Sequence, residues 1–536
     1  MSKVATYLQG HVYGELTTRR DVRELLEHDR SVLERTPEMV VYPRTGNDIR
    51  KVLRFAWQLA EKGHALPVTA RGAGTDATGA AIGRGINMVL PRHMHRVFEY
   101  DSKQKLLRLQ PGVSVESVRN ALRLHGAAIP PLVDGRGTIG GEVATDHPHP
   151  WAVKYGRVGD WVDKLEVVLD SGDVIQTGRI NKRELNKRKG WQTREGDIYR
   201  GIDGILEDHA ALIASIQSGE TVVQGGYPGI AGVRTKDGSI DLTPLFIGSQ
   251  GTLGVISEMI LRTTFIPADI ARGVAAFANA EAARDMVDAL AKLQPAYVEY
   301  YDGRLLTHAT QQGNTYEWLN GMTTVGAVVA FGFDDFNERA RQRQLKKAAK
   351  LIQKLGSEVA VVTSETHDAD ALDSIRAITD LAALPPLHAD RSGPSLVEGF
   401  YVPPARFEEF LGALTVLEDS LHVELPLYGS PITGHFTICP TLSLQKVGDK
   451  QKVFKIIDQL NAVLAQFDGQ LVSGSNEGRL LSRFVRAGWS DEYTQLVDEI
   501  RRVFDPHGIL NPEVKAAIEL RDLVSQLRSD NAIGVS

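Results

Sequence analysis

Three glycine clusters dominate the first half of the chain: "RGAGTDATG" at 71–79, "GTIGG" at 137–141 and "FIGSQGTLGV" at 246–255. Backbone N–H groups at tight turns form anion-binding concavities, and only glycine lets a chain pass close to a pyrophosphate. The first cluster looks like a dinucleotide fingerprint. The next stretch of chain, "GINMVLPRH", is too short and too β-prone to be the helix that such a fingerprint opens. The order is helix, strand, glycine loop, strand, which is not a Rossmann unit. One such cluster alone would be a turn. Three among short strands point to one ligand touched by backbone amides at several places.

The elements around the clusters can be read from periodicity. In "NDIRKVLRFAWQLAEK", residues 47–62, Ile49, Val52, Leu53, Ala56, Leu59 and Ala60 share one helical face, with Asn47 as N-cap and Gly63 as the stop. The strand "ALPVTA" delivers the first glycine loop. The second cluster precedes "EVATDHPHPWAVKYGRVGDWV" and the strand "KLEVVLDSGDVI", and the third runs directly into a strand. From about residue 266, strand-like runs ("GVAAFAN", "AYVEYYD", "VGAVVAFGF", "EVAVVTS", "SLVEGFYVP") alternate with long helical runs such as "DFNERARQRQLKKAAKLIQKLG". That texture predicts an α+β second domain. A helical stretch, "DEYTQLVDEIRRVF", precedes "DPHGILNP" and a polar tail from about 528.

Bulk properties narrow the function classes. A chain of 536 residues allows roughly two to four domains. Its net charge of −6 leaves no footprint for nucleic acid or an anionic membrane. The basic run "INKRELNKRKGWQTR" reads as a solvated helix or loop. The single cysteine, Cys439, excludes an internal disulfide and a cysteine-rich metal site. The N-terminal residues show no apolar signal region, and the longest apolar stretch is about half of what a bilayer crossing needs. The expected location is the cytoplasm.

Taken in order, "HDRSVLERTPEMVVYPRT", "LPVTARGAGTDATG", "LQPGVSVESV", "PPLVDGRGTIGGEVAT", "KYGRVGDWVDKLEVVLDSGDV", "LFIGSQGTLGVISE" and "FDPHGILNP" span nearly the whole chain. With them the chain resembles the flavin-dependent oxidoreductases of the vanillyl-alcohol oxidase family, on the branch of D-lactate, D-2-hydroxyglutarate and glycolate dehydrogenases. The resemblance implies an α+β fold: a two-subdomain PCMH-type FAD-binding domain over 1–265, an α+β, ferredoxin-like substrate (cap) domain over 266–500, and a C-terminal segment, 501–536, packing back on the FAD domain. It implies that the first loop cradles the FAD pyrophosphate through the amides of Arg71, Gly72, Ala73, Gly74 and Thr75. Thr138, Gly140 and Gly141 would meet the pyrophosphate and flavin side, with Thr145, Tyr155 and Asp160 completing that wall. Gly248, Gly251, Thr252 and Gly254, with Ile256, would hold the ribityl and adenine end. Asn511 would reach back toward the isoalloxazine ring. Members that attach FAD covalently often carry histidine where Thr75 stands, so tight noncovalent FAD is expected.

The substrate side departs from the family. Relatives carry "GHxGDGNxH" and "SGEHGxG", whose two histidines and glutamate bind a divalent metal while the neighbouring histidine acts as base. This chain reads "YGSPITGHFTICPTL" and "LVSGSNEGRLLSRF". One alignment places Ser430 and His435 at the two histidines, with Ser475 at the glutamate and Asn476 at the base. A rival alignment makes His435 the first histidine and leaves the second missing. Either way one of the four groups survives, a poor metal site, and no metal is expected. The candidates left for chemistry are His435 as base, Glu477 as a replacement acid or base, and Arg376 or Arg391 as carboxylate anchor. The family's lysine before "DVxLP" corresponds to Val397.

These features lead to an FAD-dependent oxidoreductase that oxidises an alcohol carbon, of a 2-hydroxy acid first, by hydride transfer to flavin. Oxidation of a sugar or polyol alcohol, a flavin-assisted nonredox reaction as in alkyl-dihydroxyacetonephosphate synthase, and a noncatalytic or electron-transfer flavoprotein remain open. So do the electron acceptor (oxygen, a quinone or a protein) and a homodimeric assembly. The expected partner is a small-molecule substrate.

Overall fold

In the computed structural model, the described residues are 3–132, 135–267, 269–319, 321–322, 324–355, 359–363, 374–379 and 391–529. The last residues of the expected C-terminal segment, 530–536, lie outside them. Helix Gly46–Ala60 buries Ile49, Val52, Leu53 and Ala56, as the periodicity requires. Its cap is Thr45, whose hydroxyl accepts from the Asp48 amide, rather than Asn47, which lies inside the first turn. Gly63 (φ 81°) sits three residues beyond the last helical one, where a left-handed residue ends the turn.

That helix connects strand Met39–Tyr42 to strand Val68–Arg71, with strand Ile86–Val89 hydrogen-bonded in parallel between them and Glu15–Thr17 antiparallel at the edge. A second, five-stranded antiparallel sheet runs Val97–Asp101, Leu106–Leu109, Val255–Arg262, Val162–Val168, Val174–Gln176 in spatial order. The first glycine loop leaves the carboxyl end of a parallel strand, where ligands of α/β sheets collect. The third runs into the central strand of the second sheet.

The second cluster is not a turn among strands. Thr138 caps helix Ile139–Thr145, and Gly140 and Gly141 lie in its first turn. A Cβ on Gly140 would come within 2.5 Å of the Pro111 ring, so only glycine brings this helix against that segment. The basic run forms helix Lys182–Lys189, with Arg188 paired with Glu184 and Glu195, and Lys189 with Asp203.

Downstream, seven antiparallel strands form one sheet. Four of them, Val359–Thr363, Ala271–Phe277, Ala327–Phe333 and Tyr297–Asp302, lie in the spatial order 4-1-3-2 of their own sequence. That is the ferredoxin-like order, and Leu427–Ser430, His435–Ile438 and Val397–Tyr401 extend it. Helices Ala280–Ala291, Glu338–Leu355, Phe407–Leu421 and Val447–Ala465 cover one face.

The chain then returns. Helix Asp491–Phe504 buries Leu496, Val497 and Ile500 in the core of the second sheet. Val68 and Leu510 form a parallel bridge, and the Val68 amide donates to the Ile509 carbonyl. Among the described residues no helix is long and apolar enough to cross a membrane.

Candidate flavin cavity and adjoining substrate cavity

The first glycine loop, the Thr138 helix and the start of strand Val255–Arg262 line one cavity. Of the expected contacts, Arg71, Gly72, Ala73, Gly74, Thr75, Thr138, Gly140, Gly141, Thr145, Gly251, Gly254 and Ile256 line it.

The three loops are not equivalent. In the second, the amides of Ile139 and Gly140 donate to the Val113 and Pro111 carbonyls, and that of Gly141 to the Thr138 hydroxyl. In the third, the amides of Gly248, Gln250 and Thr252 donate to Val143, Ala144 and Ser249. Among the described residues, no protein group accepts from the amides of Gly72, Ala73, Gly74 or Thr75. The first loop therefore offers four consecutive donors to a pyrophosphate, and Gly251 and Gly254 of the third loop keep theirs as well.

Its glycines are needed for packing. A Cβ on Gly72 would lie 2.2 Å from the Thr138 hydroxyl, and one on Gly74 (φ 76°) 2.2 Å from the Arg71 guanidinium. Arg71 itself is buried and donates to the carbonyls of Leu26, His28 and Ala81, so its side chain holds the loop from behind.

Five expected contacts stand outside the cavity wall. The Tyr155 hydroxyl and Lys154 Nζ both bond Asp334, latching the first half of the chain to the seven-stranded sheet. Asp160 accepts from the Arg157 amide. The Thr252 hydroxyl bonds Tyr227 at 2.7 Å and the Ser249 carbonyl. Gly248 packs against Ser475, 2.0 Å from where a Cβ would stand. Asn511 lines neither cavity: it is 1% exposed, donates to the Ala80 and Gln250 carbonyls, and accepts from Arg479 and Thr69. It joins the first and third loops.

A second cavity shares a wall with the first, formed by Arg30, Arg136, His147 and His149, which line both. His435 and Arg376 line the second. His435 pairs directly with Ser430 across a hairpin, and its Nε2 lies 2.8 Å from the Ser473 hydroxyl. Burial, then Arg157 and His147, pull its pKa down to about 3, and the same burial does so for His147. Both imidazoles are neutral at physiological pH.

Arg376, in the helical segment 374–379, donates two hydrogen bonds to Glu299 at 3.2 and 2.9 Å and lies over the Tyr297 ring. Much of its charge is thereby neutralised. Arg391 is exposed and lines neither cavity, so it is not placed to anchor a substrate.

Glu477 is likewise not placed for proton transfer, since neither cavity reaches it. It is 0% exposed, accepts from the Gly226 amide at 2.7 Å and pairs with the equally buried Lys515 at 2.8 Å. It is a structural ion pair.

Of the altered metal-site positions, Ser430 and His435 face the second cavity, and Asn476 the first, while Ser475 is buried behind Gly248. Three buried atoms, Ser430 Oγ, His435 Nδ1 and Asn476 Oδ1, have no hydrogen-bond partner. Polar atoms of this kind are spent on a ligand or cost stability. Among the described residues, no group of three or more His, Cys, Asp or Glu is placed to hold a metal ion.

Several lining residues carry no signal in the sequence that marks them as functional. His147 and His149 belong to "DHPHP", and Glu142 to "GGEV"; the His149 ring bonds Glu142 at 2.9 Å. Glu398, neighbour of Val397, lines the first cavity with its carboxyl pushed up by burial.

Comparison with known proteins gives the family. Residues 37–178 match the FAD binding domain family, and residues 266–514 match the FAD linked oxidases, C-terminal domain, family. The chain belongs to these FAD-linked oxidoreductases, with PCMH-type flavin binding, and FAD is its cofactor. It is 26% identical over 520 residues to D-2-hydroxyglutarate dehydrogenase of Pantoea ananatis, covering 93% of this chain and 50% of that protein. Glycolate oxidase subunit GlcD of Bacillus subtilis is 24% identical, with 91% of each chain covered. D-lactate dehydrogenase of Anaerostipes hadrus is 22% identical, with 92% of each covered. The chain thus spans about half the length of the D-2-hydroxyglutarate dehydrogenase, and most of the other two. In fold it is similar to 4-ethylphenol oxidase from Gulosibacter chungangensis (TM-score 0.65, 14% identity, 96% and 97% covered). It is also similar to an alkyldihydroxyacetonephosphate synthase (TM-score 0.61, 13% identity, 96% and 86% covered).

Proposed function

We propose that this chain is an FAD-linked dehydrogenase that oxidises the hydroxyl-bearing carbon of a 2-hydroxy acid. The observation that carries the reading is the wall common to the two cavities, where Arg30 and Arg136 stand beside two imidazoles. Bound FAD supplies the acceptor for a hydride. The protein's part is to bind, orient and dehydrate the substrate.

A guanidinium recognises a carboxylate in a bidentate way, and Arg30 and Arg136 stand where one would lie near the flavin. Ser430 and the neutral His435 offer hydrogen bonds to the hydroxyl. Trp151, Tyr301, Tyr428 and Phe436 line the same space and keep it dry, which strengthens each polar contact.

We further infer noncovalent FAD, because Thr75 offers no nucleophile suited to tethering, and a reaction without a divalent metal, because Ser430, Ser475 and Asn476 replace its ligands and base. The FAD loops within 1–265, the cap within 266–500 and the returning segment from 501 act as one cytoplasmic flavoenzyme.

One observation favours a second reading. Arg376 is already matched by Glu299, which suits an uncharged sugar or polyol better than a second carboxylate.

Dye-linked turnover with D-2-hydroxyglutarate, D-lactate, glycolate and a polyol series separates the readings. Turnover of the acids alone, unchanged by chelators, is expected. Polyol turnover alone would select the second reading, and chelator-sensitive turnover would overturn the metal-free one.

A further inference from the structure

Among the described residues, three imidazoles line the two cavities, and they differ in what holds them. His435 rests on a serine hydroxyl and His147 on the Asn476 amide at 3.4 Å. His149, alone of the three, has a carboxylate behind it. Its Nε2 lies 2.9 Å from Glu142 Oε2, and both side chains are mostly buried, at 14% and 10% exposure. Glu142 sits in the first turn of the helix that forms the flavin-side wall, and His149 follows that helix by four residues. The pair therefore belongs to the rigid flavin domain, whereas His435 comes from the cap.

We propose that His149, oriented by Glu142, is the group that accepts the substrate's hydroxyl proton. The assignment rests on the hydroxy-acid reading above and adds the identity of the base. With the Glu142 carboxylate accepting from Nε2–H, the lone pair lies on Nδ1, so the contact fixes both tautomer and ring orientation. In the reaction the substrate O–H bond breaks and its proton goes to Nδ1. The C–H electron pair leaves as hydride to the bound FAD, and a C=O bond forms, so the substrate is oxidised by two electrons and the flavin reduced by two. The imidazolium that results lies against the Glu142 carboxylate, which stabilises it. His435 and His147, both held neutral far below their usual range, have no carboxylate bonded to the ring, although Glu142 also acts on His147 from a distance.

Among the described residues, the charged and titratable groups around His149 include Glu142 on the helix, Asp146 and His147 on the same loop, Glu398 from strand Val397–Tyr401, and Arg30 and Arg136 on the shared wall. Of these, Glu142 is the one whose carboxylate bonds the ring directly. Removing its charge must lower the imidazole's basicity. A base is active unprotonated, so the rise of rate with pH then shifts to lower pH while the plateau falls.

The test is anaerobic rapid mixing of holoprotein with whichever hydroxy acid turns over fastest. If no acid reduces the wild-type flavin, the functional reading fails before the base is tested. Given reduction, His149→Asn is expected to slow it by about a hundredfold or more. The bound-flavin spectrum and the affinity for the 2-oxo acid product should stay as in wild type. Glu142→Gln is expected to slow it less and to move the acid limb downward. His435→Asn should leave the limb in place. Wild-type reduction rates in His149→Asn, or an unmoved limb in Glu142→Gln, would overturn the assignment. Should His149→Asn not retain FAD, the limb shift in Glu142→Gln decides alone.

Discussion

Arg376 illustrates how a residue that looks like a ligand contact in sequence can be a structural partner in the fold. Its guanidinium and Glu299 are 16% and 11% exposed, so truncating the arginine leaves a buried carboxylate with the Tyr301 hydroxyl but no counter-charge from Arg376. Arg376→Ala should cost about 3 kcal/mol of stability, and Arg376→Ala with Glu299→Gln should recover most of it. Thermal unfolding of both variants checks this; equal melting temperatures for wild type and Arg376→Ala would return the residue to substrate binding alone. Asp146 gives a pH signature. Burial raises its pKa from 3.8 to about 6, against the pull of Arg157. A raised folded value means that its contribution is fully present below about pH 4 and lost as pH climbs through 6. Asp146→Asn keeps an acceptor for the Gly159 amide and tolerates the left-handed backbone at φ 47°. The variant should therefore gain on wild type by about 2 kcal/mol between pH 4 and 7. A difference in melting temperature that does not change with pH would contradict this.

The glycine loops behave differently from one another once folded. Gly74→Ala forces a Cβ into the Arg71 guanidinium at a left-handed φ, whereas a Cβ on Gly141 meets only the Thr138 hydroxyl at 3.3 Å. Gly74→Ala should lower both stability and flavin content, and Gly141→Ala should fold normally but bind FAD more weakly. Flavin content per folded chain, measured beside circular dichroism, separates them, and equal behaviour of the two would refute the distinction. Much of this architecture is legible in the sequence. The period of the helix from residue 46, the strands bracketing the first loop and the alternation after 266 all follow from local side-chain patterns. Which amides are already spent is not legible. The Gly140 amide goes to the Pro111 carbonyl, a long-range choice that no local pattern encodes. Asn511 escapes sequence reasoning for a similar reason: its motif is plain, but its four partners come from residues 69, 80, 250 and 479. The His149–Glu142 contact is hidden because it needs the helix from Ile139 to exist, and "GTIGG" reads as a turn.

Across the molecule, the C-terminal return ties the two halves together. Glu477 and Lys515 form a pair with no exposure at all, linking the altered motif to the returning segment. Lys515→Met should destabilise the whole chain by about 3–5 kcal/mol, because it strands a buried carboxylate. Glu477→Gln should lower the melting temperature without changing turnover per bound flavin. Lost turnover in a protein that keeps its flavin and its stability would put Glu477 back among the reacting groups. The central claim, that electrons pass from a 2-hydroxy acid to FAD held in the glycine-lined cavity, is tested most directly by anaerobic titration of the purified flavoprotein. Each equivalent of hydroxy acid should reduce one bound FAD and yield one equivalent of 2-oxo acid. A flavin that stays oxidised under every acid, or is reduced by polyols alone, would contradict it.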